Sequence, residues 1–518
     1  MQFTSVSFLL FMAVLLIVYY RVPGELQWTV LLAASGWFYL WAGAEYLGFL
    51  LFTILTTYGC TTWMARNNTR REARLAQLPQ AEKRACRAAV KGKNRAILAL
   101  CLSSNFAALF LCKACLTEPL RTMVSGSRVS FLSLGLPLGI SFYMFQSMGY
   151  VTDVYRETVK AERNPGKLAL FTAYFPQLVQ GPISRFSQLA PQLLRPHRFD
   201  GKQVSFGLQR MLWGYFKKLV IADRIAVAVA ALKAPEYTGA AFLVLSVFYA
   251  VQIYADFTGG MDIALGLSQA LGIVLPENFT RPFFSKNIAV YWRRWHITLG
   301  AWMKDYVFYP LSVSAPLRKL SRSARRKFGN FGKRLPVYIA SAVTWSVTGI
   351  WHGLTPNFLV WGLLNCLVIV VSEELTPLYA RFHNRFSFKE KRWYGWFEVL
   401  RTFLLMNLIR ACDLFPSVME YFRRTGSLLT AFQPHILWDG TLMQLGLSGL
   451  DYGILAAGIT LMFTVSLVQE KKGCIRELLW QGGPMVRYAL TFALLLTVLL
   501  MGNYGIGYQA SNFLYNQF

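Results

Sequence analysis

Only five histidines occur in 518 residues, and two of them sit where an ionisable side chain needs a reason. His352 stands in "GIWHG" (349–353), after some fourteen apolar or small residues and before another apolar run. The surrounding stretch 337–365 holds no Lys, Arg, Asp or Glu. An ionisable group at membrane depth is costly and marks a functional site by default. An imidazole can take a proton near cellular pH, so His352 reads as a general base. Gly349 and Gly353 permit a close approach of backbone or ligand, and Thr355-Pro356-Asn357 breaks the helix just beyond. The plainer reading is a hydrogen-bonded structural histidine.

The second histidine, His296, lies in "YWRRWHITLG" (291–300). On a continuous helix Trp292 would be its i,i+4 neighbour. Arg293, Arg294, Lys304 and Asp305 put charge on several faces. The alternative here is an interfacial helix with an aromatic belt and snorkelling arginines. A third cluster, "YADFTGGMDIALGL" (254–267), sets Asp256 and Asp262 in an apolar region around Gly259-Gly260. Its structural reading is a kinked helix junction capped by Asp. His197, His383 and His435 lie in polar or loop contexts and read as structural or incidental.

The elements that must position these groups are membrane helices. The chain is 55% hydrophobic, its mean hydropathy is +0.37, and apolar runs recur from Phe8 to Leu500. A span needs roughly 20 mostly apolar residues. The fold class is therefore all-α: a polytopic membrane protein with about 11–14 transmembrane or re-entrant helices. Continuous runs rather than ten-residue alternation exclude a transmembrane barrel. Spans are expected near 5–20, 26–43, 46–64, 96–116, 130–150, 238–258, 337–352, 356–374, 396–412, 451–468 and 485–502. The first lacks the basic start and small-residue cleavage site of a signal peptide and reads as a retained span. The broken stretch 170–192 is expected as a re-entrant loop or interfacial segment. Residues 207–226, with Arg210, Lys217 and Lys218, are expected as an amphipathic interfacial helix. Neither an internal repeat nor a soluble domain is evident, so residues 1–518 are taken as one membrane domain.

The net charge of +28 is gathered between apolar segments. Residues 66–95 carry ten Lys/Arg against two Glu; residues 318–334 carry eight and no acid; residues 381–392 carry five and one Glu. Such stretches, expected as loops, mark the cytoplasmic side and attract anionic lipid. That distribution argues against a nucleic-acid partner. It places the N-terminus outside if the first three spans each cross once. The eight cysteines are scattered, and Cys112 and Cys115 share a face of an apolar helix without the context of a redox pair. No metal-ligand spacing is present, nor the signatures of metalloproteases, α/β-hydrolases or P-loop proteins.

In this order the three clusters resemble the membrane-bound O-acyltransferase family, in its alginate O-acetyltransferase membrane-subunit branch. The resemblance extends over "GISFYMFQSMGYVTDVYR" (139–156), "YFPQLVQGPISR" (174–185), "YADFTGGMDIALGLSQALGIVLPENFTRPF" (254–283), "YWRRWHITLGAWMKDYVFYPL" (291–311), "GIWHG" (349–353) and "NFLYNQF" (512–518). It implies an intramembrane chamber for acyl transfer to a hydroxyl, with His352 as catalytic base and His296 as its partner. Trp292, Arg293, Arg294, Trp295, Asp305, Trp351 and Asp256 are the residues expected to hold substrate around them. The implied donor is acetyl-CoA, with no resident cofactor or metal. The implied acceptor is a glycan, reached directly or through a secreted or membrane-tethered serine hydrolase-like acetyltransferase. The implied location is the bacterial cytoplasmic membrane. Two departures stand out: Thr258-Gly259-Gly260 where relatives often show Ser-Gly-Tyr-Ser, and a long basic stretch after Leu311 where they commonly show Gly-Gly and a shorter link. Two rival readings are a D-alanyl transferase fed by a carrier protein and a transporter or flippase. A transporter predicts paired inverted repeats.

Overall fold

The computed structural model describes residues 2–115, 136–504 and 513. All regular structure among them is helical. The expected span at 130–150 therefore begins outside the described residues, as does "NFLYNQF" apart from Phe513. The chain packs as two compact units, Met1–Leu208 with Ala264–Pro276, and Gln209–Ile263 with Glu277–Phe518.

The first unit opens with α1 (Val6–Arg21), α2 (Gln27–Ala42), α3 (Leu47–Gln77) and α4 (Gln80–Ala114). It continues with α5 (Ile140–Tyr155), α6 (Pro165–Ala173), α7 (Phe175–Gln180) and α8 (Phe186–Leu194). Phe3, Phe8, Phe38 and Phe175 form one aromatic knot in its interior. The expected basic loop at 66–95 is not a loop. It is the polar halves of α3 and α4, broken only at Leu78-Pro79. Ala, Arg, Glu, Lys and Gln are strong helix formers, and the residue before Pro79 is pushed to an extended backbone, as Leu78 shows with ψ 146°. Each helix is roughly 45–55 Å long at 1.5 Å per residue, longer than the ~30 Å hydrocarbon core. The pair is clamped by Asn67 to Asn94 (2.9 Å) and Asn94 to Asn68 (2.8 Å). Arg71 forks onto Glu157 at 2.6 and 2.9 Å. The stretch expected to be re-entrant resolves into the short helices α6, α7 and α8 with an extended link at 181–185.

The second unit takes up the chain within α9 (Gly201–Tyr215) and continues through α10 (Asp223–Leu232) and α11 (Ala240–Ala270). Then come two short helices, α12 (Ile288–Arg294) and α13 (Ile297–Met303). After them follow α14 (Ala315–His352), α15 (Pro356–Glu374), α16 (Thr376–Arg385), α17 (Arg392–Arg410), α18 (Val418–Thr430), α19 (Gly449–Lys472), α20 (Ile475–Gln481) and α21 (Pro484–Met501). The expected basic loop at 312–335 is likewise helical. It forms the first half of α14, which bends at Gly329, where φ is 55°. Six helices among the described residues are long and apolar enough to cross a membrane: the element Ala44–Gln77, which contains α3, then α4, α11, α15, α19 and α21. The chain is a multi-pass, all-α membrane protein.

Residues 207–226 do not lie on a surface as expected. Lys217 and Lys218 fall in a π-helical turn, Phe216–Ala222, and are 4% and 1% exposed. Lys217 Nζ donates to Asp262 (2.7 Å), and Arg210 bridges Asp262 (2.8 Å) and Glu277 (2.6 Å). Lys218 Nζ binds Asp256 (2.7 Å) and Asp223 (2.8 Å). The two aspartates are therefore mid-helix ion-pair partners within an unbroken α11, not caps at a kinked junction. Gly214 and Gly259 let the two backbones touch: a Cβ on Gly214 would strike the Gly259 carbonyl oxygen. Removing one partner of a buried pair strands a charge, at about 3–5 kcal/mol. Lys218→Met should accordingly lower the unfolding midpoint of the purified protein strongly. A midpoint equal to that of the wild type would show that the pairing does not hold α9–α11 together.

Candidate active site

His352 is the last residue of α14, and α15 begins four residues later. This tight hairpin exists because three glycines line its seam. A Cβ on Gly349 would meet the Phe358 carbonyl oxygen, one on Gly353 the Phe358 ring, and one on Gly362 the Trp345 carbonyl oxygen. The close approach expected of Gly349 and Gly353 is thus made by backbone and ring of the next helix. It sets His352 edge-on to Trp351 (centroids 4.8 Å) and Trp361 (5.0 Å).

His296 is placed by a break, not by a helix. Asn287 caps α12 by accepting from the Val290 N–H (2.9 Å), and α12 ends at Arg294. Trp295 is extended, and His296 is left-handed, with φ 48° and ψ 47°. The expected i,i+4 pairing of Trp292 with His296 is therefore absent. Asn278 holds the break open. Its carbonyl accepts from Ile297 N (3.0 Å), and its Oδ1 accepts from both the N–H (3.0 Å) and the hydroxyl (2.9 Å) of Thr298. A left-handed non-glycine residue costs energy and recurs at functional sites. Here it turns the imidazole toward His352, with ring centroids 5.8 Å apart. Phe257 and Phe279 pack on its other sides at 5.7 and 5.0 Å. Burial, and then the Arg410 guanidinium, hold the His296 imidazole well below the ordinary histidine value. A neutral imidazole carries one N–H donor and one lone pair.

Both imidazoles line a cavity of about 360 Å³. Trp292, Trp295, Trp345, Leu299, Met303 and Phe308 give it apolar walls. Ser341, Thr344 and Thr348 form a hydroxyl stripe along one face of α14, leading to His352. Arg293 and Lys304 add positive charge to the lining. Trp292, Arg293 and Trp295, expected to hold substrate, are on this lining. Trp351 supports His352 from outside the lining. Arg294 is tied to Glu470 (2.8 Å). Asp256 is bound to Lys218, and Asp305 lies in the π-helical turn Lys304–Phe308 off the cavity lining. Sequence reasoning noted Lys304 only as a charge near His296 and passed over Trp345, Trp361, the hydroxyl stripe and Arg410. The last had a signal: an arginine near the end of the apolar run expected as the 396–412 span.

An apolar, partly cationic cavity ending on two neutral-capable imidazoles, inside a multi-pass helical protein, suits transfer chemistry on a small group. Residues 164–413, which include both histidines, match the membrane-bound O-acyltransferase family. That match covers just under half of the chain. The chain is similar to the probable alginate O-acetylase AlgI of Azotobacter vinelandii, at 33% identity over 370 residues, 70% of this chain and 66% of that protein. The same-named protein of Pseudomonas syringae pv. tomato is 38% identical over 231 residues, 44% of this chain and 41% of its own length. The peptidoglycan O-acetyltransferase of Helicobacter pylori is 30% identical over 346 residues, 58% of this chain and 62% of that protein. The matched stretches thus span from two fifths to just under two thirds of these relatives.

The glycine seam and the cavity wall make opposite demands. Gly362→Val overpacks the seam and should cost about 1–3 kcal/mol, read as a lower unfolding midpoint. Gly300→Ala, on the cavity lining where a Cβ meets nothing within 4 Å, should leave the midpoint unchanged.

Proposed function

We propose that this chain is an O-acetyltransferase of the bacterial cytoplasmic membrane. It moves an acetyl group from acetyl-CoA at the cytoplasmic face toward a hydroxyl of an exopolysaccharide or cell-wall glycan. The observation that carries this reading is the pair of buried imidazoles, 5.8 Å apart, at the end of the cavity. His352 takes the proton from the acceptor hydroxyl as the oxygen attacks the thioester carbonyl. The neutral His296 donates its N–H to the oxyanion. Collapse breaks the C–S bond, and the departing thiolate recovers the proton from His352. Arg293 and Lys304 draw the anionic donor in. The polar halves of α3 and α4, the first half of α14 and the basic residues 381–392 face the cytoplasm, with the N-terminus outside.

The acyl group passes through a relay. The direct acceptor in this reading is a hydroxyl of a secreted or membrane-tethered serine hydrolase-like transferase, presented at the mouth of the cavity, and that transferase then acetylates the glycan. Similarity to proteins named alginate O-acetylase and peptidoglycan O-acetyltransferase supports a glycan as the final acceptor.

Proteoliposomes given labelled acetyl-CoA and the partner should transfer label. His352→Ala should reduce the rate by at least about 100-fold, the usual contribution of a general base. Gly300→Leu should raise KM by filling the cavity. Undiminished transfer by His352→Ala would remove that residue from the chemistry. Transfer from an acyl carrier protein but not from acetyl-CoA would replace the donor.

A further inference from the structure

Two aromatic residues of the site share a partner that the acyl-transfer reading does not use. The guanidinium of Arg410 lies 5.2 Å from the ring of Trp295 and 5.3 Å from that of Trp361. Trp295 is the neighbour of His296 in chain and space, with ring centroids 5.5 Å apart, and Trp361 packs edge-on against His352 at 5.0 Å. Each histidine therefore rests on an indole, and both indoles rest on one cation. The Arg410 side chain is 8% exposed and faces Asp413 (3% exposed) at 3.9 Å. One of its terminal nitrogens is buried and meets no acceptor among the described residues. The Tyr249 hydroxyl approaches the same carboxylate. A desolvated arginine over an indole face is among the stronger cation–π arrangements, and its planar fork suits stacking in a way an ammonium does not.

We propose that Arg410 is the positioning residue of the two-histidine site: held by Asp413, it clamps Trp295 and Trp361 and through them fixes both imidazoles. This rests on the acyl-transfer reading above. A second effect follows from the same placement. A cation one aromatic layer away disfavours a second positive charge, so it keeps His296 unprotonated and able to serve as a donor without becoming an acid. The charged and titratable groups on the elements around His296 are His352 on α14, Arg410 at the end of α17 and Asp413 just past it, Asp256 on α11, the neighbouring Arg293 and Arg294, and Lys304 on the cavity lining, which lies over the Tyr309 ring at 5.4 Å. Asp256 is bound to Lys218 and Arg294 to Glu470. Arg293 donates its Nε to the Ala289 carbonyl (3.2 Å). Arg410 is the cation of this set that stacks on the indole of Trp295.

The test uses the full chain in nanodiscs, with Arg410→Gln and Arg410→Lys beside wild type and His352→Ala. With five histidines in the chain, selective ¹⁵N-histidine labelling gives a sparse spectrum, and His296→Asn assigns the peak. In Arg410→Gln the His296 titration should move up by about one pH unit or more. The acid limb of kcat should move with it, and kcat should fall about 10- to 100-fold with KM little changed, as expected when reacting groups are misplaced. Arg410→Lys should keep the wild-type titration, because the charge remains, while losing part of kcat, because the stacking platform is gone. A folded Arg410→Gln protein with wild-type kcat and an unmoved His296 titration overturns the proposal. If Arg410→Gln does not fold, Arg410→Lys decides: wild-type kcat there removes the clamp. A wild-type chain without transferase activity, or an active His352→Ala, defeats the acyl-transfer reading instead, and the NMR titration then still reports whether Arg410 governs His296.

Discussion

The contact on which the site depends is between two backbones. Helices α14 and α15 touch at Gly349 and Gly362, where side chains would force them apart, and Gly353 in the turn leaves room for the Phe358 ring. Because the helices meet there, the turn between them is only three residues, and His352 sits at its mouth. Trp361 comes beneath the imidazole, and Trp345 comes against Trp292 at 4.7 Å. Dispersion and packing of this kind drive helix association where lipid supplies no hydrophobic incentive. A glycine seam thus does for His352 what a left-handed residue and an Asn278 staple do for His296.

The two histidines are reached by different means because they need different freedoms. His352 ends a long helix and inherits its rigidity. His296 stands between two seven-residue helices that have little stability of their own. Its position is fixed by hydrogen bonds from outside them, through Asn278, and by the pile of Phe257, Phe279 and Trp295 around the ring. The charges nearby are then settled in pairs: Arg294 and Arg281 share Glu470, and Asp256 shares Lys218 with Asp223. The cavity keeps Arg293 and Lys304 on its lining.

Much of this was legible in the sequence, for physical reasons that can be named. His352 stood out because nothing else in 337–365 is charged. The helical class followed from long apolar runs. The basic loops were misread because hydropathy marks where lipid ends, not where the helix ends; Ala- and Arg-rich segments such as 65–77 keep winding in water. Lys217 and Lys218 were misread because their partners on α11 lie 38 to 45 residues away, beyond any local pattern. The break at His296 was invisible because no Gly or Pro announces it; the residue that stabilises it, Asn278, bonds Thr298 from 20 positions earlier. Arg410 was visible as an arginine in an apolar run, but its meaning required knowing which two indoles meet there.

The Lys217 and Lys218 pairs also bear on how the chain enters the bilayer. At the centre of a membrane helix a lone Lys or Asp opposes insertion by about 2.5–3.5 kcal/mol each. Carried separately, α11 and the segment before it would each face that barrier. Carried together they do not, because every one of these charges finds its opposite within 45 residues. Paired in this way, with Gly214 against Gly259, the two segments present none of these charges alone to lipid.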